Sequence, residues 1–344
     1  MQAVKDQIAE TSLPRRLIVE CIRRWGGGAS DALLDPACSL FSCPDIDGVI
    51  GYRRGNGHAI VYGDPVCKWA DVPLLVEAFH SSCREQNIKI IYIMASEPFA
   101  RWTAERLSSV LVAFGEELIF DPHDDPKKRE GTHGSLVRRK VRRASGEGVA
   151  IQEYHPYESS LQQALEQVAC SWLQGRSGPQ IHISSVNLFA DSEGKRWFYA
   201  HKGNDIVGML VLNRLESRQG WLLNHLMAAK NAPNGTTELL VTGTLEVLAH
   251  EDCHYVTAGV VPCRQLGEIS GLGALSIRLV RGMFAIANKV FPLEGPRIFW
   301  SKFHPSAHPS YLVFHQTTIG WRQIRALTQA LHVRWAFNAT SSKE

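Results

Sequence analysis

The chain has 344 residues, 44% of them hydrophobic, and a formal net charge of +3. That length and apolar content support a large buried core, divided most simply into two domains. The mild charge permits an anionic partner. It excludes a protein that coats nucleic acid through bulk charge, which needs a far larger basic excess.

In chain order, the first periodic segment is 17–25. Leu17, Ile18, Cys21, Ile22 and Trp25 recur there at helical spacing, and Gly26-Gly27-Gly28 closes it. Short strands are predicted at 48–53 and 58–62, with Gly63-Asp64-Pro65 as a turn directly after the second. A helix follows over 72–86, with Leu75, Ala78, Phe79 and Cys83 on one face. Residues 88–94 are a continuous apolar run, as in a strand buried on both faces. The pattern then predicts a helix over 99–114 and a strand over 117–120. Residues 121–132 read as a polar loop and 135–145 as a basic helix, ended by glycines at 146 and 148. Between 127 and 143 the basic residues are Lys127, Lys128, Arg129, Arg138, Arg139, Lys140, Arg142 and Arg143, opposed only by Glu130.

The second half repeats this style. A helix is predicted over 159–173, strands over 196–201, 206–212 and 220–227, and a helix over 237–250. A strand over 254–260, a helix over 272–290 and a late strand over 311–314 follow. Strands alternating with helices place the chain in the α/β (α+β) class. The expected division is 1–133, a basic linker helix at 134–150, and 151–344. Near the end, Ile319, Trp321, Ile324, Leu327 and Leu331 combine with Arg322, Arg325 and Arg334. They read either as a basic amphipathic helix lying on an anionic bilayer or as a helix packed on the second half.

The N-terminus carries Lys5, Asp6 and Glu10 where a signal peptide needs an apolar run. Apolar runs elsewhere fall far short of the roughly 20 residues that span a bilayer. The expectation is a cytoplasmic chain, at most peripheral on the cytoplasmic membrane face. The eight cysteines are scattered without a CxxC pair, so reduced, mostly buried thiols are expected. His304 and His308, with His123, His133 and His225, supply no HxxxH pair beside a carboxylate, so no metal is expected. No GxSxG elbow is present for a Ser/His/Asp mechanism.

Two segments concentrate the chemistry. Ala232-Pro233-Asn234-Gly235-Thr236-Thr237-Glu238 is a polar turn feeding an apolar helix. Thr236 or Thr237 can cap that helix, and Glu238 in its first turn suits the dipole. The same placement would let Glu238 grip an ammonium while helix N–H groups face an anion or a polarised carbonyl. Phe299-Trp300-Ser301-Lys302-Phe303-His304-Pro305 sets a lysine among aromatics. Lys302 there either snorkels over the rings or neutralises a phosphate or a developing oxyanion. The basic helix is in turn either a solvated surface or a phosphate-binding one.

Four segments in order carry a resemblance: Gly63-Asp64-Pro65, the basic run 138–143, residues 232–238, and residues 299–305 followed by Pro309-Ser310-Tyr311-Leu312. Over roughly 40–314 the chain resembles the C-terminal catalytic region of bacterial phosphatidylglycerol lysyltransferases and alanyltransferases. It is similar to freestanding members that lack the family's membrane-embedded region. The resemblance implies tandem GNAT-like acyltransferase lobes joined by a basic helix. It implies an aminoacyltransferase with aminoacyl-tRNA as donor and a lipid hydroxyl at a membrane surface as acceptor, phosphatidylglycerol-like or sterol. Rivals are transfer to a peptide or peptidoglycan amine, and a non-catalytic relative that binds tRNA or lipid. The implied catalytic residues are Glu238 and Lys302, with His225 for proton transfer. Asn234, Gly235, Asp64, Asn224 and His304 would shape the substrate pocket. Arg138, Arg139, Lys140, Arg142 and Arg143 would hold tRNA or lipid headgroups.

The sequence departs from the family pattern at Trp300, where a first lysine is usual, and at Asn224-His225, where an acidic and a basic residue are usual. No cofactor is expected. In Arg264-Gln265-Leu266-Gly267-Glu268-Ile269, the bulky Ile269 stands where a coenzyme A pyrophosphate needs bare backbone.

Overall fold

The computed structural model describes residues 13–155, 159–174, 188–189, 191–290, 295–315 and 321–330. Lys5, Asp6, Glu10, Ile319, Leu331 and Arg334, on which readings above relied, lie outside the described residues.

Helix α1 (Arg15–Trp25) buries Ile18, Val19, Cys21 and Ile22 on one face and stops at Gly26. Strands β1 (Ser39–Phe41), β2 (Gly48–Gly55) and β3 (His58–Tyr62) form an antiparallel ladder, and the short β4 (Val66–Cys67) pairs with β2. Helix α2 (Val72–Glu85) crosses over to β5 (Lys89–Ser96), which runs parallel to β3. Helix α3 (Glu97–Leu107) and β6 (Val110–Phe120) complete the first half. The basic helix α4 (Gly131–Gly146) leads into β7 (Val149–Tyr154) and α5 (Ser159–Gln174). Strands β8 (Lys195–Lys202), β9 (Asp205–Leu215) and β10 (Gly220–Ala228) are antiparallel. Helix α6 (Thr236–His250) crosses over to β11 (Val256–Pro262), parallel to β10. Then come β12 (Ile269–Ser270), α7 (Ala274–Val290), α8 (Gly295–Ser301), β13 (Ser306–Phe314) and α9 (Trp321–Ala330).

The α/β class expected from the alternation is what the chain adopts. One unit occurs twice: antiparallel strands, a crossover helix, then a parallel strand. It is β2-β3-α2-β5 in the first half and β9-β10-α6-β11 in the second. The two units share one mixed sheet, in the order β1-β2-β3-β5-β13-β6-β11-β10-β9-β8-β7. Strands β6 and β11 join the halves as antiparallel neighbours. Strand β13 returns from the far end of the chain and pairs with both β5 and β6. Apolar side chains of α2 and α3 fill one face of the first half, around Leu75, Phe79, Phe99 and Tyr311. Those of α6 fill the second, around Leu240, Leu245 and Leu248.

Several elements differ from the sequence reading. The helix predicted over 99–114 ends at Leu107, where Ser108 turns into the left-handed region with φ of 51°. Residues from Val110 onward are strand β6, because an apolar run buried on both faces shows no period that separates strand from helix. Strand β13 begins at Ser306, earlier than expected, and accommodates Pro309 beside a register shift between Ser310 and Tyr311. Strand β7 and helix α8 were not anticipated. Helix α9 packs on β2 and β3 of the first half, with Ala326 buried there, and so departs from both placements considered above. Among the described residues no helix is long and apolar enough to cross a membrane.

Candidate functional site

The start of α6 is built from the turn before it. Gly235 occupies the N-cap position with φ of 104°, so neither threonine caps the helix as expected. Thr236 Oγ1 instead donates to the Pro233 carbonyl at 2.7 Å, and Thr237 Oγ1 donates to Glu238 Oε2 at 2.9 Å. A Cβ on Gly235 would lie 2.1 Å from the Lys140 carbonyl oxygen, which shows how closely α4 crosses the helix start. Gly235→Ala should therefore cost about 2 kcal/mol of stability in urea denaturation, from strain at positive φ and from the clash.

Glu238 and Lys302 meet here. Lys302 Nζ donates to Glu238 Oε1 at 2.6 Å, although 64 residues separate them. Both are buried, at 6% and 8% exposure. The Lys302 ammonium also lies 3.8 Å from the Phe299 ring centre and 5.4 Å from that of Phe303. Burial pushes the Glu238 carboxyl up, but the Lys302 ammonium outweighs this and holds it below its usual range. Burial likewise pulls Lys302 down, partly offset by Glu238, and the nearby Lys140 adds to the fall. Lys140 itself donates from α4 to Asn234 Oδ1. Two cations, the helix N-terminus and one carboxylate thus share a single locus, a setting that favours a developing negative charge.

The remaining basic residues of α4 separate in role. Arg138 turns back on its own chain and donates to the carbonyls of Lys127 and Arg129 at 2.9 and 2.7 Å. Arg143 pairs with Glu147 at 3.1 Å. Arg139 and Arg142 face solvent. Asn224 and His225 sit half-buried at a bulge of β10, since the pairing with β9 slips between Leu223 and His225. His304, with φ of 55°, places its ring 5.3 Å from that of His133. Burial, His133 and Arg129 hold its imidazole below the ordinary range.

Asp64 lies apart, in a cleft of about 1010 Å³. Gly63, with φ of 70°, lets the turn leave β3 sharply and aim Asp64 at the start of α3. Ser96 donates to it twice, from N at 2.8 Å and from Oγ at 2.6 Å. Burial pushes the Asp64 carboxyl up to about 6, against the lowering effect of those bonds, and Glu117 pushes the same way. Glu117 accepts from Tyr255 Oη at 3.2 Å and from Thr257 Oγ1 at 2.9 Å. Arg101 and Arg218 also line the cleft, Arg101 held by Glu268 through bonds of 2.9 and 2.6 Å. His308, Pro309 and Ser310 of β13 form another wall, and Lys302 lies just ahead of that strand.

Residues 29–314 match the family described as phosphatidylglycerol lysyltransferase, C-terminal. The chain belongs to this family. All four segments that carried the resemblance fall inside the matched span, as do both loci. The phosphatidylglycerol lysyltransferase of Staphylococcus aureus (strain MRSA252) is 18% identical over 316 residues, which cover 91% of this chain and 37% of that protein. That of Staphylococcus epidermidis (strain ATCC 12228) is 21% identical over 330 residues, covering 88% and 36%. The chain thus spans little more than a third of these relatives. Among solved structures, L-PGS from Bacillus licheniformis superposes with a TM-score of 0.75 at 18% identity, over 96% of this chain and 100% of that one. The C-terminal domain of a putative lysylphosphatidylglycerol synthetase from Agrobacterium fabrum gives 0.73 at 17% identity, over 92% and 96%. At such identities the superpositions establish the fold.

Within this member of the phosphatidylglycerol lysyltransferase C-terminal family, the fold brings together Glu238, Lys302, Asn234, Gly235 and Lys140, five of the residues singled out in the sequence. Asp64, also singled out there, lies in the separate cleft, beside Ser96, Glu117, Arg218 and Tyr255, which the sequence reading did not name. The one available signal was Glu116-Glu117, an acidic pair inside an otherwise apolar strand. Cys67 lines the Asp64 cleft, and burial pushes its thiol up to about 12.

Proposed function

We propose that the chain transfers an aminoacyl group from tRNA to a lipid hydroxyl, with phosphatidylglycerol as the first acceptor to test. The observation that carries this reading is the meeting of residues 232–238 and 299–305, both family segments, in one buried ion pair of 2.6 Å. Segments so far apart in the chain converge on charge chemistry at a helix N-terminus, where a core would otherwise be apolar.

The ester carbonyl of the donor would sit against the start of α6. Attack by the lipid hydroxyl oxygen turns that carbonyl into a tetrahedral oxyanion. The helix N–H groups and the cations Lys302 and Lys140 favour that charge. The ribose oxygen then leaves with the proton given up by the attacking hydroxyl. His225 is the proposed carrier of that proton. The donor ester is already activated, so no covalent enzyme intermediate is required, and positioning supplies much of the rate. Asp64 and Glu117 suit a cationic side chain of the carried amino acid, which can extend several ångströms from the ester carbonyl. Arg139 and Arg142, exposed on α4, suit tRNA or headgroup phosphate.

The test is transfer from a mixture of radiolabelled aminoacyl-tRNAs into chloroform-extractable product, using phosphatidylglycerol and sterol vesicles, with and without ribonuclease. The expected result is ribonuclease-sensitive label in lipid that mild alkali releases, as an ester requires. Alkali-stable label in a peptide fraction would move the acceptor to an amine. Bound tRNA with no transferred label would overturn the enzymatic reading.

A further inference from the structure

Two Asp-x-His tripeptides converge at the seam of the sheet. Strand β6 ends at Phe120, which pairs with Val256 at the start of the antiparallel β11. The chain leaving β6 carries Asp121-Pro122-His123, and the chain entering β11 carries Asp252-Cys253-His254. The two imidazoles stack with ring centres 4.3 Å apart and an interplanar angle of 16°. Asp121 faces one edge of the stack, with Oδ1 at 3.2 Å from His123 Nδ1 and Oδ2 at 3.5 Å from His254 Nδ1. Asp252 faces the other edge, with Oδ1 at 3.4 Å from His254 Nε2 and 3.8 Å from His123 Nε2. One donor atom from each of Asp121, His123 and His254 lies within 4.8 Å of the others.

We propose that this cluster binds one divalent transition-metal ion, zinc being the best match, as a clip between the two halves of the sheet. Bonds of 2.0–2.2 Å in tetrahedral geometry put neighbouring ligand atoms about 3.3 Å apart. On the Asp121 edge the nitrogen–oxygen gaps of 3.2 and 3.5 Å bracket that spacing, so side-chain rotations that converge the two Nδ1 atoms close the site. The donors that share one edge are the two imidazoles and Asp121, with water as a fourth ligand, a mixed nitrogen–oxygen set that suits zinc and disfavours magnesium or calcium, since those ions prefer all-oxygen shells.

The backbone around the cluster is held. His123 N donates to Asp121 Oδ1 at 3.0 Å. Asp252, with φ of 59°, donates from N to the Ala249 carbonyl at 3.1 Å, and Cys253 N donates to the Leu248 carbonyl at 3.0 Å. These last bonds close the C-terminus of α6, whose dipole is negative at that end and favours a cation. Glu238 lies near the opposite end of this 15-residue helix, so the ion would sit about 20 Å from the Glu238–Lys302 pair and act on stability rather than on the chemistry.

The test uses the full chain stripped with a chelator, then titrated with Zn²⁺ and separately with Co²⁺. One ion bound per chain, a rise in Tm of several degrees, and cobalt d–d bands without a thiolate charge-transfer band are expected. His123→Ala and His254→Ala should each weaken binding at least tenfold, roughly the minimum for loss of a direct ligand. Both side chains are solvent-accessible, so these variants are expected to fold. His155→Ala, on the exposed His155, should change nothing. Unchanged Zn²⁺ affinity in the His123→Ala/His254→Ala double variant, or a cobalt spectrum dominated by thiolate, would overturn the proposal.

Discussion

Lys302→Ala should destabilise the protein by about 3–5 kcal/mol and lower transfer at least about 100-fold. The stability loss follows from what remains. Removing the ammonium leaves Glu238 buried beside Phe299 and Phe303, with Thr237 and its own amide to satisfy a full negative charge. The two effects separate in the double variant Glu238→Gln/Lys302→Met. It contains no buried charge at this locus and should regain most of the lost stability, because a buried pair contributes little net stability relative to neutral groups of similar shape. Its transfer activity should stay low, since one of the two cations facing the proposed oxyanion is gone. Urea denaturation and the lipid-label assay read these two outcomes. A double variant that recovers both stability and full transfer would show the pair to be a packing feature and would remove it from the mechanism.

Asp64→Asn should have the opposite signature: a gain in stability with a loss of transfer. The Asp64 carboxyl is raised from 3.8 to about 6 in the folded chain. A raised carboxyl favours the folded state when protonated. Its contribution is fully present below about pH 3.8 and is lost as the pH rises through 6. At pH 8 the wild type therefore carries the cost of a buried charge, and the asparagine variant does not. The shift corresponds to about 3 kcal/mol at most, and partial solvent contact in the cleft reduces it, so a gain of about 1–3 kcal/mol at pH 8 is expected. Near pH 4 the two proteins should have nearly equal stability. Transfer should fall about 100-fold if Asp64 holds the side-chain ammonium of the carried amino acid, because a neutral amide cannot balance that charge. Equal stability at pH 8 would contradict the raised carboxyl, and unchanged transfer would place the ammonium elsewhere.

Much of the fold was legible because its signals are local. The crossover helices α2 and α6 announce themselves by periodicity, and the Gly63-Asp64-Pro65 turn by its residue types. Strand β6 was misread over its first half because Val110-Leu111-Val112-Ala113 is buried without alternation. The site was legible one segment at a time and not as pairs. Glu238 was assigned a substrate ammonium and Lys302 a phosphate or carbonyl, yet each is engaged by the other across 64 residues. Composition also presented α4 as uniformly basic, whereas Arg138 is directed at carbonyls of its own chain. Ser96, Glu117 and Tyr255 come from three different strands or strand ends, and only the sheet order places them around one cleft.

The path of β13 has a consequence for biosynthesis. The strands on either side of it, β5 and β6, emerge from the ribosome some two hundred residues before it does. Until it arrives, both expose unpaired edges, which are prone to wrong pairing. Folding during translation can therefore secure the helices and the outer ladders, but not the middle of the sheet. That closure draws on contacts between distant parts of the chain, and such topologies fold slowly. The nascent protein must stay protected from aggregation until β13 has been made, which makes it a natural client for chaperones.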